Sequence, residues 1–516
     1  IRTLLLAAVV MTVDILWGYT GILTFGQSAF FGIGAYACGL VFTHYGFGPG
    51  WALGGLALAL GSAAVVAAGT GWLAFFHGSS PIYASIITLA LPIVLTQVIY
   101  SGGSYTGSSS GLSGFPTYFW SLEVWFWIAG CFLVLTTTAG WLLVRSDFGR
   151  VLIAIRENED RSAYLGIPVS RIKTMLMVAA AMVASVAGFA YAAFSNVVAP
   201  ELAGFQLGTE LLIWTALGGR ATLLGPVFAA IGIDTMSSWL SGAMPFFWKL
   251  LTGIAFVGVI VALPRGLAPL ISGLWNRLRP QRNAIDFEAS VVKAPGTRML
   301  QGSFGDAPPL RIEGLSRRYG SLEVLRDVNL IGKGTELLGI IGPNGAGKTT
   351  LMRCISDGKE RTTGTLYINN VEIAHSSPQQ VVGLGVGRSF QNTNLFETLT
   401  VSECLKLARY RIDGASLFSR SDTVALPQPS LDILQATGLD KKLSEETKNL
   451  SHGMKRGLEL AMVLATEPSV LLLDEPTAGL TRPERMAIGS VLTKLTRDFG
   501  LCIVLIEHDL DFVRAI

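Results

Sequence analysis

The chain has 516 residues, of which half are hydrophobic and 15% charged, with a formal net charge of +3. A mean hydropathy of +0.50 is too high for a soluble protein, while the charge is too frequent for one held entirely within a bilayer, so several domains of unlike character are expected. The near-neutral charge and the lack of a basic arm argue against a nucleic-acid partner, and five widely separated cysteines (Cys38, Cys131, Cys354, Cys404 and Cys502) form neither a metal-ligand spacing nor a disulfide framework.

The first 274 residues read as a membrane domain. From Ile1 to Val144 the only charged residues are Arg2, Asp14 and Glu123. Apolar runs of bilayer-crossing length predict spans near 1–17, 19–43, 51–76, 82–100, 123–144, 172–195, 207–219, 222–242 and 246–264, the seventh short enough for a half-helix. Arg145–Lys173 holds six basic and four acidic residues, which places it on the cytoplasmic side. Counting forward, Arg220, Arg265, Arg277, Arg279, Arg282 and the charged remainder of the chain fall on that side if 207–219 is a crossing. Counting back puts Ile1 outside. The chain starts without Met and without a signal-peptide pattern, so a fragment lacking one leading helix is expected.

Within this domain, Gly18-Tyr19-Thr20-Gly21 through Gly32-Ile33-Gly34 interrupts an apolar run with glycines and polar groups. Two readings stand level: a broken helix lining a pathway, or close glycine-mediated packing. Asp14 and Glu210 are expected at membrane faces. Asp234 is the most central carboxylate, with capping or helix pairing favoured over a ligand role. The Gly/Ser-rich loop 101–122 reads as an external mobile connector. In 145–171, the stretch Ile155-Arg156-Glu157-Asn158-Glu159 is helix-compatible, and Gly166-Ile167-Pro168 ends it. It is where a cytoplasmic motor could act.

Residues 275–308 are polar, with Pro280, Pro295, Pro308 and several glycines, and read as a linker. Residues 309–516 alternate strand-like and helix-like patterns, which predicts a mainly parallel sheet with flanking helices. The expected fold is thus an all-α polytopic membrane domain followed by an α/β domain that the glycine loop Gly342–Thr350, ahead of a helix pattern, makes a P-loop NTPase.

The second domain carries the chemistry. An apolar strand, Leu337–Ile341, leads into Gly342-Pro343-Asn344-Gly345-Ala346-Gly347-Lys348-Thr349-Thr350 and then a helix pattern. Glycines let backbone N–H groups turn inward around phosphate, and the helix N-terminus adds positive charge. Lys348 would reach the β- and γ-phosphates of ATP, and Thr349 would ligate Mg2+. Val470-Leu471-Leu472-Leu473-Asp474-Glu475 is a buried strand ending in two carboxylates, Asp474 suited to Mg2+ and Glu475 to the attacking water. His508 follows another strand, Leu501–Ile506, and can sense the γ-phosphate. Ser451 and Gly453, ahead of the helical run Leu458–Leu464, form a second phosphate nest. A nest beyond the chain's own P-loop is best explained by a neighbouring subunit's nucleotide.

This set resembles the nucleotide-binding domain of ATP-binding cassette transporters. The resemblance implies Walker motifs at Gly342–Thr350 and Val470–Glu475, a signature at Leu450–Arg456, a Q-loop glutamine at Gln391 that also meets the metal, a switch histidine at His508, and Tyr319 stacking on adenine. His452 and Thr481 depart from the usual signature glycine and D-loop aspartate, and the domain is expected to continue past Ile516. The membrane half is similar to permeases of the branched-chain amino acid transporter family, including its urea and short-chain amide branch, through Trp17-Gly18-Tyr19-Thr20-Gly21, Ala35-Tyr36, Ile155–Glu159 with Leu165-Gly166, and Leu217-Gly218-Gly219-Arg220 with Leu224-Gly225-Pro226. These resemblances imply a fused permease and ATPase of the bacterial inner membrane with ATP and Mg2+ as cofactors and a cytoplasmic ATPase domain. They also imply a second permease and second ATPase, identical or not, an external solute-binding protein and a small-molecule substrate. An exporter and a membrane-anchored ATPase without transport are the rival readings.

Overall fold

Uncharged runs of Leu, Ala, Val, Ile and Phe satisfy their backbone internally only as helices in an apolar medium, and the first half of the chain folds accordingly. The computed structural model describes residues 1–76, 81–244, 290–294, 308–358, 360–393, 395–478 and 482–508, with single positions between 253 and 268 and at 512 and 516. The span expected at 246–264 and the linker at 275–308 lie largely outside them, as do Arg265, Arg277, Arg279, Arg282 and Thr481. The chain divides into two units, Ile1–Arg156 with Ser170–Ala284, and Glu157–Val169 with Ile285–Ile516.

In the first unit α1 (Arg2–Asp14) runs on through a π-helical turn, Ile15–Tyr19. The path is non-helical over 21–26 and resumes as α2 (Gln27–His44). There follow α3 (Pro49–Phe75), α4 (Pro81–Ser101), α5 (Leu122–Arg145) and α6 (Asp147–Glu157). The helix α7 (Glu159–Ala163) belongs to the second unit; α8 (Val169–Ser195), α9 (Phe205–Gly218) and α10 (Leu224–Ala243) complete the first. Nine crossings were expected; among the described residues five helices are long and apolar enough, namely Arg2–Tyr19, α3, α4, α5 and α8. Polar groups such as Gln27 and Asp234 dilute α2 and α10. The 14 residues of α9 rise only about 21 Å, short of the roughly 30 Å hydrocarbon core, the half-helix length expected of 207–219.

Burial separates the roles of these helices. The Arg2–Tyr19 span is 78% buried inside the unit, whereas α3, α4 and α5 are only 17–22% buried. Their exposed Leu53, Val65, Ile86, Val94, Phe126 and Leu135 suit lipid. Close packing accounts for the glycines after residue 30. A Cβ on Gly34 would lie 1.8 Å from the Ser185 carbonyl oxygen, and one on Gly188 1.9 Å from that of Phe31, so α2 and α8 touch backbone to backbone. Of the two readings of the Gly18–Gly34 stretch, packing describes its second half and a broken helix its first.

The carboxylates sort as anchors. Asp14 is fully buried and accepts from the Ala221 and Leu223 amides at 2.7 and 2.9 Å. Both residues have φ of 60°, a left-handed turn held by this contact. The Trp17–Gly21 and Leu217–Arg220 motifs meet here, Tyr19 donating to the Ala221 carbonyl at 2.8 Å and Arg220 lying 4.7 Å over the Trp17 ring. Asp14, expected at a membrane face, thus caps this turn from a site enclosed by the unit itself. Asp234 accepts from Thr3 Oγ1 at 2.5 Å, the helix pairing expected of it, and Glu210 takes a bond from Gln206 one turn away, at an exposed site. The 101–122 connector is tied down: β1 (Leu112–Ser113) pairs antiparallel with β2 (Val197–Val198), because Leu112 and Phe115 bury themselves out of the Gly/Ser run.

The second unit is built on two four-stranded sheets. One is parallel, in the order β6 (Leu337–Ile340), β12 (Cys502–Ile506), β11 (Val470–Asp474), β9 (Val386–Arg388). The other is antiparallel, in the order β5 (Leu322–Gly332), β4 (Leu310–Tyr319), β7 (Thr363–Ile368), β8 (Val371–Glu372). Their shared core includes Leu315, Ile355, Leu366, Leu472 and Val504. Inside the stretch expected to be an irregular linker, β3 (Ser290–Lys293) pairs in parallel with β10 (Thr423–Leu426); Val291 and Val292 supply the β-branched pair that favours this. Register fixes the site: Asp474 lies beside Ile506, and Ile506 beside Ile340. The loops that follow β6, β11 and β12 therefore leave the sheet at one edge, the carboxyl end where parallel sheets bind ligands.

Candidate nucleotide site

The loop after β6 turns through Gly345 and Gly347 at φ of +83° and +86°. A Cβ at Gly347 would sit 3.0 Å from the Val324 carbonyl oxygen, so the β4–β5 hairpin closes against the loop. The helix Lys348–Ser356 starts at the next residue with no side-chain cap, leaving its first N–H groups to an anion. Lys348 Nζ donates to the Gly342 and Pro343 carbonyls at 2.7 and 3.1 Å. Tyr319 ends β4, half-exposed, with the Arg317 guanidinium 4.3 Å over its ring and its hydroxyl 3.4 Å from Glu360.

At the end of β11 the carboxylates part company. Asp474 is buried near the Thr349 hydroxyl; burial raises its pKa, opposed by that hydroxyl and by the Arg388 charge. Glu475 has φ of 50°, which swings it out of the strand line. Its Oε1 accepts from Gln391 Nε2 at 3.1 Å and lies 3.1 Å from His508 Nε2. The structure thus gathers Gln391, Glu475 and His508 at one point, and Thr349 with Asp474 beside the glycine loop. Oxygen donors of this kind fit a hard cation such as Mg2+, which commonly takes one or two protein ligands and phosphate oxygens. No group of three or more His, Cys, Asp or Glu able to hold a metal alone occurs among the described residues.

Ser451 caps the helix His452–Ala465, accepting from the Met454 amide at 3.3 Å, and its surface is exposed. Among the described residues no hydrogen bond joins Ser451 or Gly453 to the Gly342–Thr350 loop. The segment Glu157–Val169 also belongs to this unit. Asn158 caps α7 through the Arg161 amide, and Gly166, at φ +84°, ends it. Tyr164 packs edge-on against Phe390 with ring centroids 5.0 Å apart, and the Thr398 amide donates to Glu157 at 3.3 Å. The residue next to Gln391 is thereby in contact with the segment expected to transmit motion.

Sequence reasoning missed the buried ions behind this edge. Arg456 donates to the Asp474 and Glu475 carbonyls at 2.9 and 2.6 Å and to Glu459 at 2.9 Å. Glu459 is 0% exposed. A lone carboxylate among Leu458, Leu460 and Ala461 was the available signal, since such a group is buried only when paired.

A P-loop with paired strand-end carboxylates on a parallel sheet, in one chain with an apolar helical unit, defines a membrane-coupled ATPase. Two family models divide the chain the same way. Residues 1–260 match the branched-chain amino acid transport system / permease component, and residues 325–478 match ABC transporter. The second unit is 34% identical over 218 residues to the high-affinity branched-chain amino acid transport ATP-binding protein LivG of Escherichia coli strain K12, covering 40% of this chain and 85% of that one. It is 32% identical, with the same coverage, to BraF of Pseudomonas aeruginosa, which bears the same description. Among solved structures, the dimeric bacterial ABC transporter cassette MJ0796 is similar at 25% identity and a TM-score of 0.35, covering 40% of this chain and 90% of that one. The chain belongs to the branched-chain amino acid family of ABC transporters, with permease and ATPase fused, and its cassette hydrolyses ATP in support of transport.

Proposed function

We propose that this chain is one half of an importer in a bacterial inner membrane that takes up branched-chain or other small amino acids. The observation that carries the reading is the meeting of Gln391, Glu475 and His508 at 3.1 Å, at the same sheet edge as the P-loop, in a chain whose other half is a permease. In this reading Tyr319 stacks on adenine, and residues 342–350 cradle the phosphates. When bound, Mg2+ supplies charge neutralisation at the phosphates, and Thr349, Asp474 and Gln391 hold it. Glu475 orients and deprotonates the attacking water, with His508 and Gln391 fixing its carboxylate. Ser451 and Gly453 serve the nucleotide of a second ATPase, so the working unit has two cassettes, two permeases and an external solute-binding protein. The cassette faces the cytoplasm.

The test is uptake by the chain, reconstituted with its co-purified partners and binding protein, against a panel of labelled leucine, alanine and urea. Accumulation of an amino acid only with ATP supports the reading. Accumulation of urea alone moves the substrate to the amide branch, and ATP turnover without uptake of any panel member sinks the importer.

A further inference from the structure

Behind the sheet edge lies a buried network that the chemistry above does not use. Glu459 Oε1 accepts from the Phe390 amide at 2.9 Å and lies 3.4 Å from Arg161 Nη1, while Oε2 takes Arg456 Nη1 at 2.9 Å. Arg161 is 1% exposed, and it also reaches the Arg388 carbonyl at 3.4 Å. Arg456 spreads over the Asp474, Glu475 and Pro476 carbonyls and that of Phe390. One carboxylate therefore stands between a cation from the 157–169 segment and a cation that grips the main chain on both sides of Glu475.

We propose that Glu459 is a positioning residue through which the 157–169 segment sets the orientation of Glu475 and Gln391. Glu475 is held in the left-handed region at φ of 50°, a strained conformation for a non-glycine residue that persists only under external constraint. Arg456 supplies that constraint. The Phe390 amide, on the residue before Gln391, hangs on the same Glu459 oxygen that faces Arg161. Arg161 is the loosest member. Its contacts are long, its Nε and Nη2 have no partner, and its charge is disfavoured by burial and by Arg456 and held by Glu459. A small displacement of Arg161 changes the field at Oε1 and with it the balance between the Phe390 amide and Arg456. The 157–169 segment can then report its position to the hydrolytic group, and the reverse.

The inference rests on Glu475 acting on the attacking water, so the experiment includes Glu475→Gln as a reference. ATP turnover is measured on the full chain with its partners in proteoliposomes, for Arg161→Met, Glu459→Gln and the double variant. Each single change is expected to lower kcat about tenfold with KM for ATP changed less than about twofold, and the double to be no worse than the poorer single. Arg161→Lys should recover part of the loss. Additive losses, a KM that rises with the fall in kcat, or a normal kcat in Arg161→Met overturns the proposal. Arg161→Met decides alone if Glu459→Gln does not assemble, because Arg161 lies outside the cassette sheets. A fully active Glu475→Gln would instead show that the reading of Glu475 has failed.

Discussion

Each half of the molecule buries a carboxylate completely, and each stabilises it in a different way. Asp14 in the membrane unit is held by two backbone amides of a left-handed turn. Glu459 in the cassette is held by two guanidinium groups and one amide. Amides of a fixed turn cannot move without unfolding it, so Asp14 locks geometry. Guanidinium groups on long side chains can shift, and those around Glu459 also touch the backbone of the hydrolytic edge. Burial of a charge marks a fixed anchor in one unit and a transmissible one in the other.

Several changes should break or sharpen that contrast. The largest effect belongs to Glu475→Gln, which should lower ATP turnover by about 10²-fold or more while nucleotide binding, read by a fluorescent ATP analogue, persists. Next, Gly188→Val should prevent assembly of the membrane unit, since even a Cβ there meets the Phe31 carbonyl at 1.9 Å; the readout is yield of monodisperse protein in detergent. Asp14→Asn should cost about 1–3 kcal/mol, seen as a lowered melting temperature, with KM for ATP unmoved. The smallest effect is one of pH. Burial raises the Asp474 pKa, so its protonated form favours the fold. That contribution is complete below the ordinary carboxyl pKa near 3.8 and is lost as pH rises through the raised value. Activity needs the carboxylate, so it moves the other way. Removing the hydroxyl in Thr349→Val raises the pKa further, and the acid limb of residual turnover should shift to higher pH.

What the sequence made legible was local. The glycine loop could be read because strand, loop and helix adjoin, and Glu475 because it follows a five-residue buried strand. The apolar helices could be read from length, but not the end of the first one. A π-helical turn carries it to Tyr19, and only the Asp14 contact with residues 207 and 209 positions later makes that turn intelligible. The ion network was invisible for the same reason: Arg161 and Glu459 are 298 residues apart, and no periodicity links them. The pairing of Val291 and Val292 with β10 was hidden by the prolines and charges around them.

The most direct test of the central claim, that hydrolysis at the Glu475 edge drives the permease in the same chain, is to count ATP hydrolysed and labelled leucine accumulated in one proteoliposome preparation. In wild type both should rise together, and in Glu475→Gln both should fall to background. Leucine accumulation that survives in Glu475→Gln would contradict the account.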